Sequence, residues 1–347
     1  MYSNGSARKN RSLVVLVLFA LLSHQVPALA EDAQEYLENA LKQIEKCSIN
    51  RDRINWLDVC KRAQSMALNA SRPSDTYPAI TYVLSQLQDN HSYMMTPDGR
   101  PVPFPPGTKH IADNRQRRFT QRQETGGFLP SRKGRIGHVV IGGISGDEMQ
   151  LKDYCRKLRA QVGRCRTYGL KGWVIDLRGN SGGNMWPMIV GIGPVLGAGT
   201  IGYFVYGKDF RPWYYKQGAA GVRAMGSEHA NFSIVDGMSD YHEQAPIAVL
   251  IDRNTLSSGE ALGIAFKGRA NTRFFGERTG GLATANKTIQ MSDGATIQVT
   301  SCYEADRNKN VYPTAIDPDV TIDQGKIACG APNDPVIAAA IQWIDNQ

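Results

Sequence analysis

A continuous apolar run, Ile247-Ala-Val-Leu-Ile-Asp252, breaks within a few residues into a second run that reads as a helix, Ala261 to Arg269. No other feature constrains the fold so tightly. An apolar run without polar alternation belongs to a strand covered on both faces, the habit of parallel strands packed under helices. The link between the runs is Asn254-Thr-Leu-Ser-Ser-Gly-Glu260, all small or polar apart from Leu256. A serine at such a break can stand exposed beside the first amides of the helix, where unpaired N–H groups and the helix dipole make an anion site. Acyl transfer needs that arrangement, because negative charge develops on the carbonyl oxygen as a hydroxyl attacks. Ser257 is therefore the candidate nucleophile.

Strand and helix alternate over the whole second half of the chain. Ile136–Ile141, Gly172–Leu177, Ile201–Tyr206, Ile247–Asp252 and Arg273–Gly276 read as strands. Glu148–Arg166, Met185–Leu196, Ala261–Arg269 and a last segment from Asn333 to Trp343 read as helices. Lys287–Met291 and Ala295–Val299 flank Asp293-Gly294, a hairpin signal. Before this region, Ala33, Leu37, Ala40, Leu41 and Ile44, and then Ile80, Val83, Leu84 and Leu87, recur at helical spacing, with Asp75 read as the cap of the second helix and Pro78 in its first turn. The expected organisation is a leader over 1–30, a helical subdomain over 31–93, a basic loop or cap segment over 94–134, and an α/β core over 135–347.

The leader has a basic start (Arg8, Lys9, Arg11), an apolar run from Leu13 to Leu22, and small residues at Ala28-Leu-Ala30. That is the layout of a secretory signal peptide. The run is short against the roughly 20 residues a membrane span needs. The expectation is export to a periplasmic or extracellular location without stable membrane insertion. Six cysteines follow the leader (Cys47, Cys60, Cys155, Cys165, Cys302, Cys329), which in an oxidising compartment reads as disulfides. Neighbour pairing, 47–60, 155–165 and 302–329, is the preferred choice among the fifteen connectivities. None of the cysteines has zinc-like spacing, and no metal or organic cofactor is expected.

The net charge is +8, and three of those charges lie in the leader, leaving +5. Much of the remainder comes from Arg115, Arg117, Arg118, Arg122, Arg132, Lys133 and Arg135. No aromatic-interleaved motif accompanies them, so the stretch reads as a solvated loop and nucleic acid is not an expected partner.

A serine hydroxyl needs a base within hydrogen-bond reach. Five histidines follow the leader (His91, His110, His138, His229, His242), and only His91 has a suggestive context, Leu87-Gln-Asp-Asn-His-Ser92, just after an apolar helix. Between His91 and Ser257 lies Asp176-Leu-Arg-Gly-Asn-Ser-Gly-Gly183, at the end of a buried-type strand. Its glycines free backbone amides to approach a ligand, here the second half of an oxyanion hole. The alternative is a plain strand-to-helix turn in which Arg178 holds a structural carboxylate.

In order and kind these pieces resemble the C-terminal processing, or tail-specific, serine peptidase family, which includes the tricorn core and nisin-resistance proteases. Gly276-Glu-Arg-Thr-Gly-Gly281 and Ile316-Asp-Pro-Asp-Val320 match two further family motifs. The resemblance runs from Ile54 to Val320 and implies a crotonase- or ClpP-like α/β core. By the same resemblance Ser257 is the nucleophile, and the amides of Ser258 and of Gly182 or Gly183 stabilise the oxyanion. Where the bacterial tail-specific branch has a lysine base, this chain has Leu282, and Lys287 lies beyond that register. The tricorn and nisin-resistance branches use a histidine from the segment that here holds His91, so His91 is the implied base, with Lys287 the alternative. Ser92, Glu304 and Asp306 are candidates to orient His91. Between Tyr93 and Ile136 there is too little chain for the PDZ domain that many family members carry.

The function so implied is an exported serine endopeptidase that cleaves extended or unfolded polypeptides, laid as a strand along a groove, through an acyl-enzyme. The alternatives are a non-catalytic ligand- or peptide-binding protein on the same fold and a peptidase that needs activation. The oligomeric state is left open.

Overall fold

The computed structural model describes residues 32–107, 126–166, 170–224, 227–234 and 245–347. The leader, His110, His242 and the arginines at 115, 117, 118 and 122 lie outside these residues. From Asp32 onward the chain forms one unit.

Three helices come first, α1 (Ala33–Cys47), α2 (Trp56–Met66) and α3 (Tyr77–Gln86), followed by a short strand β1 (Tyr93–Met95). The helical spacing does what it predicts, since Leu37, Ala40 and Ile44 of α1 and Ile80, Val83 and Leu84 of α3 are buried. Asp75 has a different role from the one expected. It sits in a 3-10 turn, Pro73–Thr76, and its carboxylate accepts from the amides of Ser71 and Arg72, so it caps that turn and not α3.

Next come β2 (Gly126–Ser131), β3 (Gly134–Val140), α4 (Glu148–Arg166), β4 (Gly172–Asp176) and α5 (Met185–Leu196). Four antiparallel strands follow, β5 (Gly199–Tyr206), β6 (Asp209–Lys216), β7 (Ala219–Ala224) and β8 (Ser227–Ser233). Then come β9 (Ile247–Ile251), α6 (Ser258–Phe266), β10 (Thr272–Gly276), β11 (Thr284–Gln290), β12 (Thr296–Ala305), β13 (Val311–Tyr312), β14 (Val320–Thr321) and α7 (Pro335–Asp345).

The strands form two sheets. One runs β14-β10-β9-β4-β3-β2 and is parallel except at β2. Its central strands β4 and β9 are buried at every position, as their unbroken apolar runs require. The other sheet runs β1-β12-β5-β6-β7-β8, with β11 and β13 also paired to β12. The hairpin expected at Asp293-Gly294 joins β11 to β12, with Gly294 at φ 90°.

The helical layer and the hairpin share one core, in which Leu37, Ile80 and Leu84 pack with Ile289, Ile297 and Val299. Each such side chain contributes on the order of 1.5–3 kcal/mol on burial. The hydroxyls of Tyr36 and Tyr77 donate to the two carboxylate oxygens of Asp293 at 2.9 and 2.5 Å, pinning the hairpin tip to the helices. This packing fixes the loop after α3, and with it His91, against β11 and β12.

No disulfide joins any of the six cysteines in this structure. Cys155 and Cys165 both lie on α4, where ten residues of rise separate them by about 15 Å. A disulfide needs Cα atoms within about 7 Å, so no rotamer change could join them. Both face the main core.

Candidate active site

β4 and β9 are neighbours in the parallel sheet, so the segments leaving their carboxyl ends meet there. Ligand sites in α/β sheets form at that edge, where loops converge and helices begin. Asp176–Gly183 leaves β4, and Arg253–Ser257 leaves β9. His91 arrives from the other sheet, one residue after Asn90 and two before β1.

Ser257 immediately precedes α6 with φ 51° and ψ −118°. Positive φ in a residue with a Cβ costs on the order of 1–3 kcal/mol. Its hydroxyl caps none of the α6 amides. It lies instead 3.0 Å from His91 Nε2. The serine is held by its backbone, whose amide donates to Glu260 Oε2 at 2.9 Å.

Glu260 is fully buried and acts as a hub. Its carboxylate also accepts from Leu282 N at 2.8 Å, Gly281 N at 3.0 Å and Thr279 Oγ1 at 2.6 Å. Burial pushes its pKa up to about 7, against the pull of those four donors. The Gly276–Gly281 stretch is thereby tied to the turn that carries Ser257.

His91 is 3% exposed, and its two ring nitrogens have different neighbours. Nε2 faces Ser257, and Nδ1 lies 2.8 Å from Thr284 Oγ1 on β11. With Nε2 accepting the serine proton, Nδ1 carries the other proton and donates to Thr284. The backbone is set by Asp89, whose carboxylate accepts from His91 N at 3.0 Å and Ser92 N at 2.8 Å. Asn90, at φ 59°, supplies the left-handed turn that an Asn adopts readily. Asn286 Nδ2 donates to His91 O at 2.9 Å.

None of the three residues expected to orient His91 holds that place. Ser92 Oγ donates to Asp89 and accepts from Thr300 N. Asp306 ties its own turn through Asn308, Asn310 and Tyr312. Glu304 Oε2 is buried with no hydrogen-bond partner among the described residues. Thr284 occupies the position instead, and no spacing argument could single it out from the other threonines. Lys287, the alternative base, is exposed on β11, while Leu282 is buried at the register where a lysine was sought.

The two glycines differ in their commitments. Gly182 N donates to Asn180 Oδ1 at 3.0 Å, which takes that amide out of the expected pair and leaves Gly183. A Cβ on Gly182 would come within 2.9 Å of Ser257 Cβ, and one on Gly183 within 2.0 Å of Ile144 O. The turn therefore needs both glycines, which also take positive φ, 97° and 115°. Ser258 Oγ donates to Gly183 O at 2.6 Å, locking the two segments together. Arg178 is what the alternative reading of that turn described. It is buried and pairs with Asp176 at 2.7 Å and Asp334 at 2.9 Å, tying the strand end to the start of α7.

His91, Ser257, Ser258, Gly182 and Gly183 all line one cavity of about 750 Å³. Among the described residues no group of three or more His, Cys, Asp or Glu side chains could hold a metal ion, and no helix is long and apolar enough to cross a membrane.

Comparison with known proteins gives a consistent result. The family model described as "Peptidase family S41" matches residues 135–322. The nisin-resistance protein of Lactococcus lactis subsp. lactis is 28% identical over 316 residues, covering 90% of this chain and 87% of that protein. Among solved structures, a lipoprotein from Streptococcus agalactiae superposes with a TM-score of 0.71 at 21% identity, over 92% of this chain and 98% of that one. The photosystem II D1 C-terminal processing protease superposes with a TM-score of 0.56 at 16% identity, over 84% and 93% of the two chains. The last two show a shared fold, the mixed α/β architecture with an N-terminal helical region.

Proposed function

The chain belongs to peptidase family S41 and is a serine-type peptidase, and on that premise we propose that Ser257 and His91 are its catalytic dyad, acting on extended or unfolded polypeptides outside the cytoplasm. The observation that carries this reading is the 3.0 Å separation of His91 Nε2 and Ser257 Oγ in a shared cavity. Distances of 2.6–3.2 Å are those a general base needs.

Ser257 Oγ attacks the scissile carbonyl while its proton passes to His91 Nε2. The imidazolium is stabilised through Nδ1–H on Thr284, in the place a third orienting group takes in such sites. The oxyanion forms between the amide of Gly183 and that of Ser258 at the start of α6, where the helix dipole adds to the hydrogen bonds. Collapse expels the amine, which takes the proton from His91. Water then attacks the Ser257 ester, giving its proton to the same nitrogen, and the serine is regenerated. The strained backbone of Ser257 is consistent with a residue held for chemistry rather than for stability.

Export rests on the leader motif and on the kinship with the nisin-resistance protein, and so does the choice of peptide substrates. The test is covalent labelling. A fluorophosphonate should add to Ser257 in the wild type, located by peptide mass spectrometry, and the rate should fall at least ~100-fold in His91→Ala, as removal of a general base requires. Labelling at another serine, or labelling indifferent to His91, would refute the dyad.

A further inference from the structure

Among the described residues Glu304 is the one carboxyl group lining the cavity, and the dyad chemistry leaves it idle. It stands on β12 opposite Phe204 of β5 and lines the same cavity as Ser257 and His91. It is 3% exposed, and its Oε2 has no hydrogen-bond partner among the described residues. A buried polar group left unpaired costs on the order of 1–3 kcal/mol, more if charged. Burial first, and then the nearby Glu260, push its pKa well above the usual carboxylate range. A fold that needed only volume at this position would carry an apolar residue at no such cost.

The rest of the cavity says what could offset that cost. Among its described lining residues Glu304 is the sole carboxyl, and no lysine or arginine is present to neutralise it. Beside it stands an aromatic wall, in which Phe204 meets Trp186 edge to face at 6.3 Å. Aromatic faces accept the methylene stem of a long cationic side chain and attract its charge, while the head seeks a carboxylate.

We propose that Glu304 determines specificity, receiving a lysine or arginine side chain from a substrate residue beside the scissile bond, with the stem along Phe204 and Trp186 and the cation on the carboxyl group. The cation is held by the ionised carboxylate, so its arrival favours loss of the Glu304 proton to solvent. The inference rests on the peptidase reading of this cavity, and it names the substrate class that reading lacks.

Binding tests it without turnover. Fluorescein-labelled random octapeptide pools would carry lysine, arginine, norleucine or glutamine fixed at each position in turn. Affinity would be read by anisotropy on Ser257→Ala and on Ser257→Ala/Glu304→Gln, both checked for cooperative unfolding. At one position, Ser257→Ala should bind the lysine and arginine pools at least ~30-fold more tightly than the norleucine pool, the scale of a buried charged hydrogen bond. In the double variant that ratio should fall to within ~3-fold, since glutamine keeps the shape and removes the charge. Equal or unmeasurable affinity for all pools in Ser257→Ala overturns the inference. So does a preference for the glutamine pool, or a cation preference that survives Glu304→Gln. Wild-type protein on the same pools reports cleavage separately. Cation-selective binding without cleavage would uphold Glu304 and refute the dyad, and cleavage without cation preference would do the opposite.

Discussion

Thr284→Val removes one oxygen from the site and leaves its shape almost unchanged. In the wild type, His91 Nδ1 and Thr284 Oγ1 lie 2.8 Å apart with both residues buried. Losing the acceptor strands a buried donor, at about 1–3 kcal/mol. The larger effect comes when His91 takes the serine proton, because a hydrogen bond from a charged donor is worth about 1.5–3 kcal/mol. At a factor of ten for each 1.36 kcal/mol, kcat should fall ~10- to 100-fold. KM should stay within ~3-fold, since the interaction lost strengthens in the transition state rather than in substrate binding. Thr284→Ser keeps the oxygen and gives up one methyl, about 0.8 kcal/mol of burial, so its kcat should stay within ~5-fold of wild type. Steady-state hydrolysis of a fluorogenic peptide would separate the two parameters. A Thr284→Val enzyme with undiminished kcat, or equal losses in Val and Ser, would refute the role assigned to this hydroxyl.

Ser257→Gly should abolish activity and yet stabilise the protein by about 1 kcal/mol, because glycine accepts φ 51° without strain; thermal melts of the two proteins check this. Glu260 gives a pH dependence of defined sign. Its folded pKa of about 7 lies above the 4.5 of an unperturbed glutamate, so its contribution to stability is fully present below about pH 4.5 and is lost as the pH rises through 7. The full swing is up to about 3 kcal/mol, and the stability difference between wild type and Glu260→Gln, from urea unfolding, should shrink by that order between pH 5 and pH 8. Peptide mapping without reductant should find no Cys155–Cys165 cross-link, whatever the other four thiols do.

What the sequence disclosed followed from the strength of its local signals. Apolar runs such as Gly172–Leu177 and Ile247–Asp252, helices such as Glu148–Arg166 and Met185–Leu196, and the Asp293-Gly294 hairpin fall where periodicity and turn chemistry put them. The strands β6, β7 and β8 were not legible. Their burial follows no clean alternation, and their pairing depends on long-range contact with β5 rather than on any local pattern. The expected Cys155–Cys165 pairing fails because sequence proximity means little once both residues lie on one rigid helix.

The site shows the same division. Ser257 and the glycine pair sit at strand ends that a single-chain pattern reveals, and they meet because β4 and β9 are adjacent. His91 was suggestive only through its setting, because the packing of α3 against the β11–β12 hairpin is what carries it to Ser257. Thr284 carries no sequence signal at all: it is one polar residue among many, and only the partner it meets, His91 Nδ1, makes it part of the site. Asn180 stands inside the Asp176–Gly183 motif, but its hold on the Gly182 amide emerges only from the fold.

The most direct test of the central claim is hydrolysis of unfolded casein by the wild-type protein, Ser257→Ala and His91→Ala, with products identified by mass spectrometry and folding checked in all three. The dyad predicts cleavage by the wild type and its loss in both variants. Cleavage that survives His91→Ala while Ser257→Ala is dead, or a folded wild type that leaves casein intact, would contradict it.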